Sequence, residues 1–414
     1  MRGNLHPYKR HDVCDVYFKN RMAENTGNLL FLNSMVNALS VDGAVIDMNY
    51  SLPLKKTDLI NAEYQKVVLP YANAFKESFA EKMKRGAEFV RKLKIPCIVP
   101  CIGIQDPGYW NNSAFAKTAK AFIGAVLNHS ATIGVRGEVT ADCLKRIGFD
   151  SSKIDVIGCP SMFMYGKDLP QIVKRPWDRV TRLAFNITAG LPDLPIRAQI
   201  CDFMAREIKK YRHPTYIAQV RAEMGMLLFG DCRHYSGQKF LRLDIFGDYI
   251  TGNHMKLFID HLSWSDYFRN HIDVNFGPRI HGAVAGLLGG VPSLVLAHDL
   301  RTKELCDYHE IPYAEASSLT PKTTLADIYD TADYTNYLKN HPKRLNAFHA
   351  FLRKNEIESI FDHGNESGNN GSVVAYGSID PVFNLSRSEL IERLQKCHFV
   401  ATDLASKNKT AGKE

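Results

Sequence analysis

The chain has 414 residues, of which 45% are hydrophobic and 23% charged, and its formal net charge is +8. This composition excludes a wholly disordered protein, and the length is enough for two domains with full hydrophobic cores. The longest apolar stretch, from Ile280 to Ala297, is interrupted by His281, several glycines and Pro292, so no membrane-spanning helix is predicted. The basic N-terminus has no apolar segment after it and does not resemble a signal peptide, so we expect a cytoplasmic protein.

Cysteines and basic residues are both scattered along the chain. The nine cysteines form no Cys-x-x-Cys pair, which predicts reduced, mostly buried thiols instead of a disulfide framework or a zinc site. The densest basic groups, Lys82–Arg85, Arg91–Lys94 and Arg206–Arg212, fall within predicted helices, and no long Lys/Arg block or zinc-finger, RNA-recognition or basic-zipper spacing accompanies them. We therefore expect solvated helix faces and no nucleic-acid partner. The excess positive charge also suits anionic small substrates or lipid phosphates at a membrane surface.

Strand-like and helix-like runs alternate through the first half. A helix is predicted to start at Asn25–Asn28, with Leu32, Met35, Val36 and Leu39 on one buried face. The predicted elements that follow are strands at Val41–Met48 and Val67–Pro70, a helix at Ala72–Leu93, a strand at Ile95–Ile104, a helix at Ala114–His129, a strand at Ala131–Val135, a helix at Ala141–Ile147 and a strand at Lys153–Gly158.

A polar, proline-containing break at Tyr165–Trp177 separates this half from a second alternating series. Its predicted elements are a strand at Arg182–Thr188, a helix at Ile196–Tyr211 and strands at Met226–Phe229, Asp273–Phe276 and Ser293–Ala297. Such alternation predicts an α/β fold with parallel strands joined by helices. We expect Rossmann-like domains at 1–170 and 171–320 that face a cleft. A helical extension at 321–414, without identifiable chemistry, would pack back on the first domain or extend the second.

The stretch from Asp273 to Arg301 carries the most chemistry. Gly277 and Pro278 end a strand, so Arg279, Ile280 and His281 fall on the strand-to-helix turn, where parallel sheets bind ligands. An anion there would meet free backbone N–H groups, a helix dipole and a guanidinium, which suits a phosphate or a carboxylate. Taken alone, the arginine could equally be a solvated surface residue and the histidine a structural one.

Several segments together resemble one family, the polysaccharide pyruvyl transferases. The C-terminal signature of that family is similar to Arg279–Gly282, the Ala/Gly-rich helix, Gly290–Pro292 and His298–Arg301. Upstream, Asn25–Asn28, Gly103–Gln105, Val135–Arg136 and Cys159–Ser161 resemble its other segments, in the same order. The resemblance implies a glycosyltransferase-B-like arrangement of two Rossmann-like domains, with the acceptor on the first and the donor on the second.

The resemblance also implies an activity. A member of this family would move the enolpyruvyl unit of phosphoenolpyruvate onto a sugar of a cell-surface polysaccharide or its lipid-linked precursor, form a pyruvate ketal and release phosphate. The donor-binding residues would be Arg136, Arg279, Ile280, His281 and Arg301. His281 is the matched residue suited to proton transfer near neutral pH, and Arg279 would assist by stabilising the departing phosphate. Candidate acceptor or cleft residues are Asn25, Gly27, Asn28, Gln105, Ser161, Asp299 and Lys303.

No carboxylate-rich group accompanies these residues, so we expect neither a metal nor a cofactor. The chain departs from the family pattern at Asn28, where the family has aspartate, and at Arg301, where it has lysine. Either Arg301 or Lys303 could therefore contact the donor. Two alternatives stay open: a nucleotide-sugar-dependent glycosyltransferase of the same build, whose donor a basic helix N-terminus would also serve, and a non-catalytic protein that retains the fold. A lipid-linked acceptor would imply peripheral contact with the inner face of a membrane.

Overall fold

The computed structural model describes residues 5–48, 54–72, 74–105, 108, 113–187, 195–231, 249, 252–364 and 373–411. Its strands are β1 (Val67–Val68), β2 (Cys97–Ile98), β3 (Ile133–Val135), β4 (Ile154–Val156), β5 (Leu183–Phe185), β6 (Thr215–Ala218), β7 (Met255–Leu257), β8 (Val274–Gly277), β9 (Ser293–Ala297) and β10 (Tyr313–Glu315). Its helices are α1 (Val13–Phe18), α2 (Gly27–Leu39), α3 (Thr57–Glu63), α4 (Ala80–Arg91), α5 (Ser113–Leu127), α6 (Glu138–Arg146), α7 (Pro195–Ile208), α8 (Arg221–Phe229), α9 (His261–His271), α10 (Ile280–Leu288), α11 (Leu300–His309), α12 (Leu325–Thr331), α13 (Thr335–Lys354) and α14 (Arg387–Ala411).

The second half of the chain forms a six-stranded parallel sheet in the order β10-β9-β8-β5-β6-β7. Every residue of β5, β6, β8 and β9 is buried, as is typical of strands covered by helices on both faces. The carboxyl ends of β5, β6 and β8 meet at one edge, and the residues that follow them are therefore close together.

The first half contains two parallel strand pairs, β1-β2 and β3-β4. Parallel bridges extend the pairing beyond the strands: Phe75 pairs with Ile104, and Ile102 pairs with Val135. The segment after β2 thus lies between the segment after β1 and strand β3. The N–H of Arg136 donates to the carbonyl of Ile102 (3.0 Å). Parallel strands in both halves confirm the predicted α/β class.

The apolar core has two parts. One fills the first half around β1 to β4, and the other surrounds the six-stranded sheet. Helix α2 and the turn at 160–163 belong to the second part, although both lie in the first 170 residues. The predicted boundary at residue 170 remains a prediction, since the packing crosses it.

Residues after 320 contact the first half at several points. Phe348 of α13 stacks on Phe163 with ring centroids 5.3 Å apart, and His341 lies 2.8 Å from the carbonyl oxygen of Gly166. Asn355 accepts from the N–H of Thr132 (3.1 Å). Residues 341–355 therefore pack against the first half, with α13 close to β4, whereas Leu325 and Ser378 contact the second half.

Two predicted strands are wrong. Residues 41–48 form a turn and extended chain, because Gly43 adopts a left-handed conformation with φ +77°. Residues Met226–Phe229 complete helix α8, which ends at Gly230 in the left-handed region, since a short apolar run alone does not distinguish a strand from a buried helix. The predicted helix Ala72–Leu93 is shorter and begins at Ala80 after a 3-10 turn.

Two further expectations need correction. Helix α2 is buried on nearly all sides instead of on one face, because it lies between the 160–163 turn and α10. The prediction of reduced thiols is wrong for one pair, since Cys14 of α1 and Cys397 of α14 form a disulfide. These two residues are 383 positions apart, so no local spacing could indicate the bond. The described free cysteines are mostly buried.

Candidate active site

The turn between β8 and α10 holds Arg279 as the N-cap of the helix. Gly277 has φ +148°, and a Cβ atom there would collide with the backbone of Asn186, so the position requires glycine. The N–H of Arg279 donates to Oδ1 of Asn186 (2.9 Å), and its Nε donates to the carbonyl of Ile187 (2.6 Å). Within the described ranges its two terminal nitrogens have no hydrogen-bond partner. The half-buried guanidinium is therefore available to an anion at the N-terminus of α10.

Helix α10 lies directly against the sheet because its first turns contain small residues. A Cβ atom on Gly282 would lie 2.7 Å from the side-chain nitrogens of both Asn186 and Gln219. These two residues follow β5 and β6, and their amide nitrogens are buried without a hydrogen-bond partner among the described residues. The edge of the sheet at α10 thus presents two buried donors.

His281 lies in the first turn of α10, between elements of the first half. A Cβ atom on Gly27 would lie 2.7 Å from Cβ and 2.9 Å from Nδ1 of His281, so glycine at the start of α2 allows this close approach. On the other side, Nε2 of His281 lies 3.8 Å from the sulfur of Cys159. His281 and Cys159 line a recess between the two halves, together with Ser161, Ile280, Leu305 and His309. The imidazole is therefore held where the halves meet.

Cys159 is buried among polar groups. Its sulfur lies 3.0 Å from Oγ of Ser161, and its N–H donates to Nε2 of His309 (2.9 Å). Burial alone would raise the pKa of the thiol, but hydrogen bonds with Cys101 and His281 and the charge of Arg136 lower its pKa well below the usual value. By contrast, burial and the neighbouring Cys159 raise the pKa of Cys101, which favours its neutral thiol form.

Arg136 is only 2% exposed and follows strand β3. Its Nε donates to the sulfur of Cys101 (3.4 Å), and a Cβ atom on Gly103 would lie 2.5 Å from its Cδ. The next helix, α6, is capped from the second half: Glu304 of α11 accepts from both the N–H (2.6 Å) and the hydroxyl (2.9 Å) of Thr140. Glu304 therefore connects the helix after Arg136 to the second half.

Arg301 lies with the other arginines, whereas Lys303 does not. Burial and the charges of Arg136 and Arg279 lower the pKa of Arg301, and the neighbouring Asp299 opposes this shift. Asp299 is the N-cap of α11 and lies 3.1 Å from a terminal nitrogen of Arg301. The ammonium of Lys303 pairs with Glu315 on the surface. The charges of Arg136 and Arg279 therefore both reach Arg301, although the three residues lie on three different segments.

The remaining predicted residues have structural partners. Oδ1 of Asn25 accepts from the N–H of Gly27 (2.7 Å), and the side-chain amide of Asn28 donates to the carbonyl of Ala23 (2.9 Å). Ser161 is fully buried beside Cys159. Gln105 is half-buried at the end of the segment that begins at Gly103. Asn25, Asn28 and Ser161 therefore lie at the recess or the start of α2, whereas the N–H of Gln105 donates to the carbonyl of Phe75 (3.3 Å) within the first half.

Local sequence patterns did not identify five further residues of the site: Asn186, Gln219, Cys159, Glu304 and His309. The first two directly follow β5 and β6, where parallel sheets bind ligands, but the predicted strand at Arg182–Thr188 runs past Asn186 and no strand is predicted before Gln219, so the sequence alone did not reveal this position. The other three are brought to the site by contacts between residues at least 122 positions apart, which no local pattern encodes.

Within the described part of the chain, no group of three or more His, Cys, Asp or Glu side chains could hold a metal ion. The same residues include no helix that is both long and apolar enough to cross a membrane.

A family model for the polysaccharide pyruvyl transferases matches residues 25–299. The chain belongs to this family. The matched range starts at Asn25, includes Arg136, Arg279 and His281, and ends at Asp299, so that Arg301 lies just beyond it. No curated protein matches the chain.

Some solved structures are distantly similar. The UDP-GlcNAc 2-epimerase of Methanocaldococcus jannaschii is 13% identical with a TM-score of 0.42, and the match covers 73% of this chain and 80% of that one. The Anabaena protein HepE, solved with UDP-glucose, is 12% identical with a TM-score of 0.37 (73% and 77% coverage). The UDP-GlcNAc 2-epimerase of Neisseria meningitidis is 12% identical with a TM-score of 0.32 (85% and 84%). Similarity at this distance does not identify a ligand for this chain.

Proposed function

We propose that this family member transfers the enolpyruvyl unit of phosphoenolpyruvate to a saccharide of a cell-surface polysaccharide or its lipid-linked precursor, forming a pyruvate ketal and releasing phosphate. The observation that carries the proposal is the convergence of Arg136, Arg279 and Arg301 on one region, with His281 in the first turn of α10. Phosphoenolpyruvate bears a phosphate and a carboxylate, and forked guanidinium groups bind both kinds of oxyanion well.

The two halves would divide the donor between them. Arg279 and the N-terminus of α10 form an anion site on the second half, with Arg301 beside it. Arg136 supplies a buried cation from the first half. Asp299 balances part of this positive charge through its contact with Arg301 (3.1 Å), and a ligand with two anionic groups would offset the remaining repulsion among the three arginines.

His281 would supply the proton chemistry. It donates a proton to the methylene carbon, positive charge develops at the neighbouring carbon, and a sugar hydroxyl adds there and returns its proton to the imidazole. A second hydroxyl then displaces the phosphate, which takes up the proton of that hydroxyl. Two new C–O bonds thus replace the C=C π bond and the bond to phosphate, and the arginines stabilise the leaving phosphate.

Ligand-induced stabilisation tests the donor. Phosphoenolpyruvate, UDP-sugars, GDP-sugars and CMP-sugars are compared by thermal shift, each with a chelator present, because a ligand that binds only the folded state raises Tm. We expect a shift with phosphoenolpyruvate alone and release of inorganic phosphate when an accepted saccharide is added. A shift with a nucleotide sugar and none with phosphoenolpyruvate would replace this proposal by a glycosyltransferase function. No shift with any donor would support a non-catalytic role.

A further inference from the structure

Cys159 is the residue of the recess whose role the proposed function leaves open. It is fully buried, yet its sulfur contacts two polar groups, Nε2 of His281 at 3.8 Å and Oγ of Ser161 at 3.0 Å. The backbone N–H of Cys159 donates separately to Nε2 of His309, so the contacts with His281 and Ser161 belong to the side chain alone. A buried sulfur that serves only to fill space needs no such partners.

The groups around this sulfur favour a negative charge. They come from five segments around it: Cys101 beyond β2, Arg136 beyond β3, Ser161 in the 160–163 turn, His281 of α10 and His309 of α11. Arg136 is cationic, and His281 becomes cationic when protonated. Burial lowers the pKa of His309 to about 3, so its ring stays neutral and accepts the N–H of Cys159.

The imidazole of His281 is fixed from two sides. Its Cβ–Nδ1 edge lies against Gly27, and its Nε2 faces Cys159. Both contacts come from the first half, whereas the backbone of His281 belongs to the second. The orientation of the ring therefore depends on residues that are distant in sequence.

From this geometry we propose that Cys159 is a positioning residue for His281: its sulfur, as an anion, holds Nε2 and stabilises the protonated imidazole. The role of the proton in this proposal rests on the proposed function, whereas the ion pair between Cys159 and His281 is inferred from the contacts around the two side chains. The sulfur forms no bond to the substrate and keeps its charge. The proton that reaches the methylene carbon comes from the imidazole, which the sugar hydroxyl protonates again.

The ion pair can be measured without any substrate. A thiolate absorbs at about 240 nm, and an unperturbed thiol, with a pKa of about 8.5, stays almost fully protonated between about pH 5 and pH 7. We expect full-length protein to show thiolate absorbance in this range, Cys159→Ala to lack it, and His281→Gln to show it only at higher pH. Cys97→Ala is the matched control, because Cys97 is equally buried, burial raises its pKa, and the site does not include it. Equal absorbance of wild type and Cys159→Ala would overturn the proposal.

A second measurement tests the effect on catalysis. With phosphoenolpyruvate and an accepted saccharide, the alkaline limb of the pH-rate profile should move to lower pH in Cys159→Ala, while donor affinity stays within about threefold, since the arginines are unchanged. Cys159→Asp restores a negative charge beside His281 and should return the alkaline limb of the pH-rate profile toward its wild-type position. An unchanged profile in Cys159→Ala would overturn the positioning role. If the wild type releases no phosphate from phosphoenolpyruvate, the proposed function fails, and the absorbance measurement still decides the ion pair.

Discussion

The two halves contribute to the site in different ways. In the second half, Arg279 and Asp299 are N-caps of helices that directly follow strands, so local backbone geometry positions them. In the first half, Gly27 and Cys159 lie at the start of a helix and beside a 3-10 turn, and contacts from the second half position them. The N–H of Thr26 donates to the carbonyl of Gln219 (2.8 Å), and that of Cys159 to His309 (2.9 Å). The second half thus positions Arg279 and Asp299 by its own local geometry, and the first half adds Arg136 and completes the surroundings of His281.

The largest expected effect tests the chemistry at His281. His281→Gln retains the size of the side chain and part of its hydrogen bonding, so phosphoenolpyruvate should bind within about tenfold of wild type, while turnover falls about 100- to 10,000-fold. Phosphate release and donor affinity are measured on the same variant. Parallel loss of affinity and rate would instead indicate a phosphate ligand, and turnover near the wild-type rate would return His281 to a structural role.

The next largest effect is expected on donor affinity when an arginine of the site is replaced. Arg279→Ala should weaken donor binding by about 2–5 kcal/mol, because it removes one member of a charge-assisted contact in a desolvated site. Arg279→Lys keeps the charge but loses the fork and should recover only part of the affinity. Titration calorimetry measures all variants, with Lys303→Ala as the control that leaves affinity unchanged, since Lys303 pairs with Glu315 on the surface. Normal donor affinity in a folded Arg279→Ala variant would remove Arg279 from the site.

A smaller effect tests the first half. Gly27→Ala is compatible with the helix, but the added methyl would meet the imidazole of His281, so turnover should fall about 100-fold, the usual consequence of displacing a catalytic group by about 1 Å. Gly124→Ala is the matched control, because a Cβ atom at this helical glycine meets nothing within 4 Å. That control should keep its turnover and gain about 0.5–1 kcal/mol in the free energy of unfolding. Wild-type turnover in Gly27→Ala would show that His281 does not depend on α2.

The smallest effect is a pH dependence of stability at the junction between the halves. The pKa of His309 is lowered to about 3, below the value in the unfolded chain, so the unfolded state binds the proton first. Its contribution to stability is complete above about pH 6.5, is lower by about 1.4 kcal/mol one pH unit below that value, and stops changing below about pH 3. Denaturant unfolding at several pH values measures this slope. His309→Gln should have a shallower slope, and an equal slope would assign the acid sensitivity to other groups.

The sequence predicted the regular parts of the fold well. Strand β9 has the predicted bounds, and β8 differs by one residue at each end, because apolar strands bounded by glycine and proline are unambiguous. The start of α10 at Arg279 and Ile280 also agrees with the prediction, since a strand-to-helix turn is a local feature. Residues 226–229 show the opposite case, in which an apolar run fits two structures and only tertiary packing decides between them.

The same distinction applies to the site. The location of Arg279 and His281 follows from residues within one turn. The pairing of His281 with Cys159, and of Glu304 with Thr140, depends on how the halves pack, and no single segment contains that information. The sequence could show that Cys159 precedes a Pro-Ser turn, but not that its sulfur faces an imidazole.

The disulfide between Cys14 and Cys397 has a topological consequence. It converts the backbone between Cys14 of α1 and Cys397 of α14 into one closed covalent ring. A single cut at any loop of that ring opens it without releasing a fragment, so a protease-nicked molecule would migrate as one species until a reductant is added. Helix α14 is in turn tethered to the body of the protein by a bond that does not depend on its packing.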